Sequence, residues 1–303
     1  MVEAAPQSGF PTVKLALISE GLNAWPLYVA RDRQLFEKEG VNVEMTLTGS
    51  SVMQLEQLTA GGFDIGFQQS DHVVRGVEHG ADLFIFMGQN HAPDLSLVVA
   101  PGIKTFGDLK GRVIAVDGAR TGYALLLRKL LSDKGLKDGD LVIREFGGSR
   151  ERFDALKGGA AFASLLNPPF DRNLFAAGFG SLGTINDYFP TYPGAIAAAR
   201  RSWARSHETE LIAFIRAFNA GYAWLQNPGH KAEAIRMLPE RLGIQPEAAA
   251  KAFERLAGRP RPEITLEGLR QVIDVVWEAE GFKPPSGAPE KYLDLSYLKK
   301  AAR

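Results

Sequence analysis

The chain has 303 residues, 45% hydrophobic and 23% charged, enough for one large domain or two smaller ones with a sizeable core. Lys plus Arg and Asp plus Glu number 35 each, so the formal net charge is zero; this argues against broad nucleic-acid or anionic-membrane binding and leaves a local basic patch open. Cysteine is absent, which excludes disulfides, thiolate zinc sites and thiol nucleophiles, and no apolar run reaches the roughly 20 residues of a bilayer span.

The opening MVEAAPQSGFPTV lacks the basic start and apolar core of a signal peptide. It reads as the start of a processed chain behind an added Met1. Thr12 to Ser19 alternates and then runs apolar, as a buried first strand does. Pro26 suits the first turn of a helix that runs to a cap at Gly40. Val41 to Ser70 then reads as strand, Gly49-Ser50, helix, Gly61-Gly62, strand, with Met53, Leu55 and Leu58 as the core-facing stripe of its helix. Ser50 or Ser51 is placed to cap that helix. A short helix over 71–79 and strands at Leu83 to Met87 and Leu95 to Ala100 follow, and Pro101-Gly102 marks a lobe boundary.

Beyond it, Arg112 to Val116 predicts a strand, Gly118 to Gly122 a turn, and Tyr123 to Lys134 a helix. Leu141 to Asn167 repeats the earlier layout: strand, Gly148-Ser149, helix, Gly158-Gly159, strand, closed by Pro168-Pro169. Phe179 to Thr184 reads as a short strand, and the apolar Ala195 to Ala199 as one that crosses back to the first lobe. From Arg201 onward the pattern is helical, with stripes such as Leu211, Ile215, Phe218, Tyr222 and Leu225. A unit used twice implies two lobes of like construction. Each leaves a helix N-terminus and a strand end at one edge, where ligands bind in open α/β sheets.

Candidate ligand groups sit at those edges. Backbone amides at Gly49-Ser50-Ser51 and at Gly118 to Gly122 suit an anion, although ordinary capping explains either turn alone. Arg120 suits a carboxylate, sulfonate or phosphate through its fork of donors, against a bland alternative of pairing with Asp117. Arg150 and Arg152 open the second repeat's helix, either as ligand contacts or as solvated side chains. Trp25, Phe170 and Tyr192 offer aromatic faces, against simple packing beneath a loop. Gln68 and Gln69 offer amides. The five histidines, His72, His79, His91, His207 and His230, show no metal-ligand spacing, and no catalytic acid/base pair or nucleophile elbow is present.

The stretch PLYVARDRQLFEKEGVNVEMTLTGSSVMQLEQLTAGGFDIGF resembles the opening lobe of the substrate-binding proteins of ABC importers for nitrate, sulfonate and taurine, in the NMT1/THI5-like group. The matching positions are Gly40-Val41-Asn42-Val43, Gly49-Ser50, and Leu58 with Gly61, Asp64, Ile65 and Gly66. FGDLKGRVIAVDGARTGYALLLRKLLSDKGL is similar to the group's second-lobe opening and DLSYLKKA to its tail. The chain departs from the pattern where Gly158-Gly159-Ala160-Ala161-Phe162 lacks the Asp of the first repeat. It also lacks the cysteine of the iron-binding cluster of the thiamin-pyrimidine enzymes in this group.

The resemblance implies an α/β, two-lobed type II periplasmic-binding-protein fold, with a ligand cleft between lobes that closes by hinge motion and a helical C-terminal region. Lobe 1 would be residues 10–100 plus 195–303 and lobe 2 residues 101–194. It implies an extracytoplasmic, monomeric solute-binding component that works with permease subunits, without cofactor, metal or nucleic acid. Its cargo would be a small organic anion, and Trp25 favours an organic sulfonate or carboxylate, aromatic members included, over nitrate. By position the contacts would come from Asn23 and Trp25, Ser50 and Ser51, Gln68 and Gln69, Arg120 and Thr121, Gly148, Ser149 and Arg150, Asn167 and Tyr192. The rival expectation is an enzyme on the same fold, of desulfinase or pyrimidine-precursor type.

Overall fold

The computed structural model describes residues 9–18, 20–89, 93, 95–242, 245–257 and 261–302. The first eight residues, on which the reading of a processed start rests, lie outside this set, as do Ser19 and His91. In chain order the elements are β1 (Thr12–Leu17), α1 (Trp25–Asp32), α2 (Leu35–Lys38), β2 (Asn42–Leu47), α3 (Ser51–Ala60), β3 (Ile65–Gln69), α4 (Ser70–Glu78) and β4 (Leu83–Gly88). Next come β5 (Ser96–Val99), β6 (Val113–Val116), α5 (Gly122–Asp133), β7 (Val142–Glu145), α6 (Ser149–Lys157), β8 (Ala163–Leu166), α7 (Phe170–Ala176), β9 (Gly180–Thr184) and α8 (Ile185–Tyr188). The chain ends with β10 (Ala195–Arg200), α9 (Arg201–Ser206), α10 (Glu208–Gln226), α11 (Lys231–Leu242), α12 (Pro246–Ala257), α13 (Leu266–Glu280) and α14 (Ser296–Ala301).

Two compact units result. Unit 1 holds residues 1–91, 193–264 and 288–303; unit 2 holds 92–192 and 265–287. Their sheets are built alike. In unit 1 the order is β2-β1-β3-β10-β4, and in unit 2 it is β7-β6-β8-β5-β9. In each, the first three strands are parallel and the fourth runs antiparallel to both neighbours. Strands β4 and β5 are buried throughout, so both read as near-continuous apolar runs although their ladders are antiparallel.

Two expectations of lobe membership differ from this division. Strand β5 precedes Pro101-Gly102, which on sequence assigns it to the first lobe, yet it pairs with β8 and β9 of unit 2. Helix α13, grouped with the first lobe by its place in the chain, belongs to unit 2, where it contacts α5. Strand β10, read from its apolar AIAAA run, lies as expected between β3 and β4 of unit 1.

The core of unit 1 is aromatic. Phe36 stacks on Phe214 at 5.6 Å between ring centroids, and Phe67 lies 5.8 Å from Phe218. These rings press α10 onto β3 and α2. Helices α1 and α10 touch backbone to backbone at Gly221, where a Cβ would sit 2.3 Å from the Pro26 carbonyl oxygen. Only a hydrogen fits there, so the apolar stripe of α10 is interrupted by a glycine that sets how close α1 lies.

The C-terminal segment is tied back onto unit 1 by a polar clamp. The Tyr292 hydroxyl donates to Glu78 Oε1 at 2.6 Å and Lys291 Nζ lies 2.5 Å from the same oxygen. Leu293 bridges to Ile85 of β4. Desolvation alone would raise the Glu78 carboxyl, but the hydrogen bonds from Lys291 and Tyr292 outweigh it and hold its pKa below the ordinary range.

Two outcomes are expected. Gly221→Ala lowers stability by roughly 1–3 kcal/mol through overpacking, read as a lower urea midpoint at unchanged slope. For the clamp, a carboxyl whose folded pKa is depressed stabilises above its unfolded value and loses that contribution as pH falls through the folded one. Glu78→Gln therefore lowers the melting temperature at neutral pH, and the gap to wild type narrows as both are acidified below the carboxylate range. A gap that stays constant with pH excludes this account.

Candidate functional site

The candidate site is the carboxyl-end edge of each sheet, and the two edges are built from equivalent residues. Thr48 donates its N–H to the Leu17 carbonyl at 2.8 Å, and Phe146 does the same to Val116 at 2.9 Å. Gly49 and Gly147 follow, with φ of 66° and 92°. Asp64 donates its N–H to Lys14 at 2.9 Å, as Phe162 does to Val113 at 2.8 Å. Gly61 and Gly159, at φ of 94° and 75°, close the two helices. These positions need the left-handed backbone that glycine adopts freely. The equivalent glycines are thus Gly49 with Gly147 and Gly61 with Gly159. Matching Gly49-Ser50 to Gly148-Ser149, as the sequence suggests, is off by one.

With that register, Gln54 of α3 and Arg152 of α6 occupy one place. Both are buried, at 0% and 5% exposure. Gln54 Nε2 donates to the Phe67 carbonyl at 2.8 Å, and an Arg152 guanidinium N–H donates to the Leu165 carbonyl. Gln54 also accepts the Thr48 hydroxyl at 3.1 Å. Arg152 donates to the carbonyls of Gly147 and Gly148 and, at 3.2 Å, to the Ser149 hydroxyl. Burial pushes the Arg152 pKa down, opposed by the nearby Asp117. It lines a narrow recess with Asp117, Tyr123, Leu127 and Leu165.

At the edge of unit 1, Asn23 is exposed in a helical turn, and its carbonyl accepts from Gln89. Ser50 caps α3 by accepting the Met53 N–H at 3.2 Å, while Ser51, the first residue of α3, is half-buried. Trp25, expected at a ligand loop, is instead 1% exposed and packs edge-on against Phe253 at 6.1 Å. It opens α1, so its ring points into the core rather than over the loop. Met53, expected in the core stripe, is 37% exposed because Gln54 and Leu58 take the inward positions. Gln69 is half-buried and Gln68 is 1% exposed. Among the described residues, neither end of the Gln68 amide, nor the Ser70 hydroxyl, nor the Trp25 indole N–H finds a hydrogen-bond partner. Buried polar groups are normally paired, and each unpaired one costs about 1–3 kcal/mol.

Unit 2 is different. In the turn proposed as an anion nest, one amide and one hydroxyl already bond the protein's own carboxylates. Ala119 donates its N–H to Glu145 Oε1 at 2.7 Å. Thr121 donates its hydroxyl to Asp117 at 2.6 Å and caps α5 by accepting from Ala124 N–H. Arg120 is paired not with Asp117 but with Glu280 of α13, at 2.6 Å. Its partner lies 160 residues away, beyond the reach of any local pattern. Gly148 precedes α6, and Ser149 donates its hydroxyl to Asn167 Oδ1 at 2.7 Å. Arg150 lies over the Phe170 ring at 4.9 Å, and Tyr192 is buried against Phe189. The structure therefore brings together Ser149, Asn167 and Arg152, and separately Thr121 and Asp117. Sequence reasoning left Gln54, Ser70 and the buried role of Arg152 unread, since burial at a helix's first turn has no signature in residue type. Among the described residues no cluster of His, Asp and Glu suits a metal, and no helix is long and apolar enough to cross a membrane.

Two five-stranded sheets of this topology, each with an antiparallel strand beside the third, define the two-lobed fold of periplasmic binding proteins. The NMT1/THI5-like family model matches residues 22–232, and the chain belongs to that family. Its fold is similar to the aliphatic sulphonate binding protein SsuA of Escherichia coli, with a TM-score of 0.73 and 19% identity over 95% of this chain and 92% of that one. It is also similar to the nitrate-binding protein NrtA of Synechocystis, with a TM-score of 0.73 and 16% identity over 99% and 89%. The solved structures of SsuA and NrtA are of binding proteins, not enzymes. A curated relative, the bicarbonate transport ATP-binding protein CmpC of Synechocystis, is 23% identical over 237 residues, which are 71% of this chain and 35% of CmpC. The chain thus spans about a third of that relative's length.

If Thr121 serves as a cap, Thr121→Val lowers stability by about 1–2 kcal/mol and Thr121→Ser restores most of it, as thermal unfolding would show. Equal loss in both variants would place the role elsewhere.

Proposed function

We propose that the chain is the solute-binding component of an ABC importer and captures a small organic anion, a sulfonate or carboxylate, outside the cytoplasm. Membership of the NMT1/THI5-like family and the likeness to SsuA and NrtA support this. The carrying observation is that the Gln68 amide and the Ser70 hydroxyl, at the end of β3, are buried and unpaired among the described residues, as is the indole N–H of Trp25 at the start of α1, whose ring packs in the core. The indole N–H, an amide NH2 and a hydroxyl are all able to donate, and sulfonate or carboxylate oxygens are what such donors lack. An unsatisfied buried group is tolerated where a ligand completes it.

The partners are a small organic anion and the importer's permease subunits; the chain acts as a monomer, without catalysis or a cofactor. The rival, an enzyme of desulfinase or pyrimidine-precursor type, requires a nucleophile or metal ligands. The described residues hold no metal-ligating cluster and the sequence no cysteine.

A thermal-shift screen with alkyl and aryl sulfonates, aromatic carboxylates, nitrate and bicarbonate tests this. A ligand at a hundred times its dissociation constant stabilises by about 2.7 kcal/mol. One anion class shifts the transition and is recovered unchanged; a compound consumed in the assay supports the enzyme instead. Gln68→Leu leaves the free protein as stable as wild type or about 1 kcal/mol more stable, yet abolishes the anion's shift. A shift of wild-type size in that variant removes Gln68 from the site.

A further inference from the structure

Arg152 differs from its repeat equivalent in one chemical respect. Gln54 both donates and accepts: its Nε2 donates to the Phe67 carbonyl, and its Oε1 lies 3.1 Å from the Thr48 hydroxyl, which also has the Leu17 and Ser50 carbonyls in reach. An arginine only donates. The oxygen of Ser149 therefore receives an N–H from Arg152, and the Ser149 hydrogen turns away from the guanidinium, toward Asn167 Oδ1 at 2.7 Å. With its oxygen held there, the Asn167 amide directs its nitrogen the other way. One of its N–H groups donates to the Pro168 carbonyl at 3.2 Å, and the other is left at the half-buried surface of the β8–α7 junction. Asp117 and Glu151 offset the Arg152 charge through their fields, while its guanidinium N–H groups donate into this relay.

We propose that Arg152 is a positioning residue: through Ser149 it fixes the Asn167 amide as a hydrogen-bond donor at the carboxyl-end edge of unit 2, so that this edge prefers an anionic oxygen over a group that donates. The proposal rests on the reading above that this edge takes part in capturing an anion. Asn167 would touch the ligand, and Arg152 would act one residue removed from it.

Isosteric pairs test the proposal: benzenesulfonate with benzenesulfonamide, benzoate with benzamide, ethanesulfonate with ethanesulfonamide. Each is titrated calorimetrically into wild type, Arg152→Gln, Arg152→Lys, Ser149→Ala and the Arg152→Gln/Ser149→Ala double variant. Gln at position 152 keeps a donor for the Leu165 carbonyl, as Gln54 does for Phe67, but also accepts the Ser149 hydrogen and releases the relay. Arg152→Gln and Ser149→Ala each reduce the preference for the anion over its amide about tenfold. The double variant loses no more than either single, because both cut one chain. Arg152→Lys, a donor only, retains most of the preference.

If wild type prefers the anion and Ser149→Ala or a folded Arg152→Gln keeps that preference intact, the proposal is overturned while the anion reading stands. If wild type binds the amides as tightly as the anions, or none of the six compounds, the anion reading fails and the proposal falls with it. Should Arg152→Gln lose its cooperative unfolding transition, Ser149→Ala, which leaves the guanidinium in place, decides alone.

Discussion

The constraint on which both units depend is a backbone carbonyl near the end of the third strand. Phe67 and Leu165 each present a carbonyl to the helix that follows the second strand, and a side chain from that helix's first turn must reach it. In unit 1 a glutamine does so, and in unit 2 an arginine. The same side chain also holds the turn that opens its helix, through Thr48 in one case and Gly147 and Gly148 in the other. One buried residue thereby fixes second strand, turn, helix and third strand together. Leaving that carbonyl unpaired would cost about as much as a whole helix cap contributes. The edge that presents the candidate site is therefore held together by the protein's own hydrogen bonds.

The two edges divide differently once that requirement is met. In unit 1 several buried donors remain open after the backbone is accounted for. In unit 2 the corresponding turn is closed by Glu145 and Asp117, and the relay from Arg152 leaves a donor on Asn167. An exposed turn rich in glycine is a good anion nest only while its amides are free. Once a carboxylate from the neighbouring strand occupies them, the same backbone becomes a structural cap.

This explains what could be read in the sequence. The same punctuation recurs in both units because left-handed glycines close each helix and open each turn, and their spacing revealed two like units. The run of small apolar residues at 195–199 revealed β10, because a strand covered on both faces tolerates little else. What could not be read was pairing across distance. The sequence offers Arg120 only Asp117 nearby as a partner, and only the folded chain brings Glu280 to it. Trp25 precedes a proline in a loop-like stretch, yet the helix begins at that residue and turns its ring inward. The alignment of the repeats slipped by one because consecutive glycines offer two registers, and only φ tells which is left-handed.

The missing Asp of the second repeat shows how two like backbones carry different side chains. Asp64 accepts the Lys14 N–H at 2.9 Å and lies 3.7 Å from Arg200, whose guanidinium also bonds the Leu58 and Phe63 carbonyls. Phe162, in the equivalent place, lies beneath the Arg112 guanidinium at 4.9 Å instead. An ion pair has been exchanged for a cation–π contact, yet the backbone bond at this position is kept in both units. Side-chain chemistry is replaceable at this position, where a different arginine is seated in each unit, whereas a buried N–H or carbonyl is paired in both. Conserved backbone pairing beneath exchanged side chains is why the units share layout but little identity. It is also why the functional asymmetry between them lies in which polar atoms remain once the backbone is satisfied.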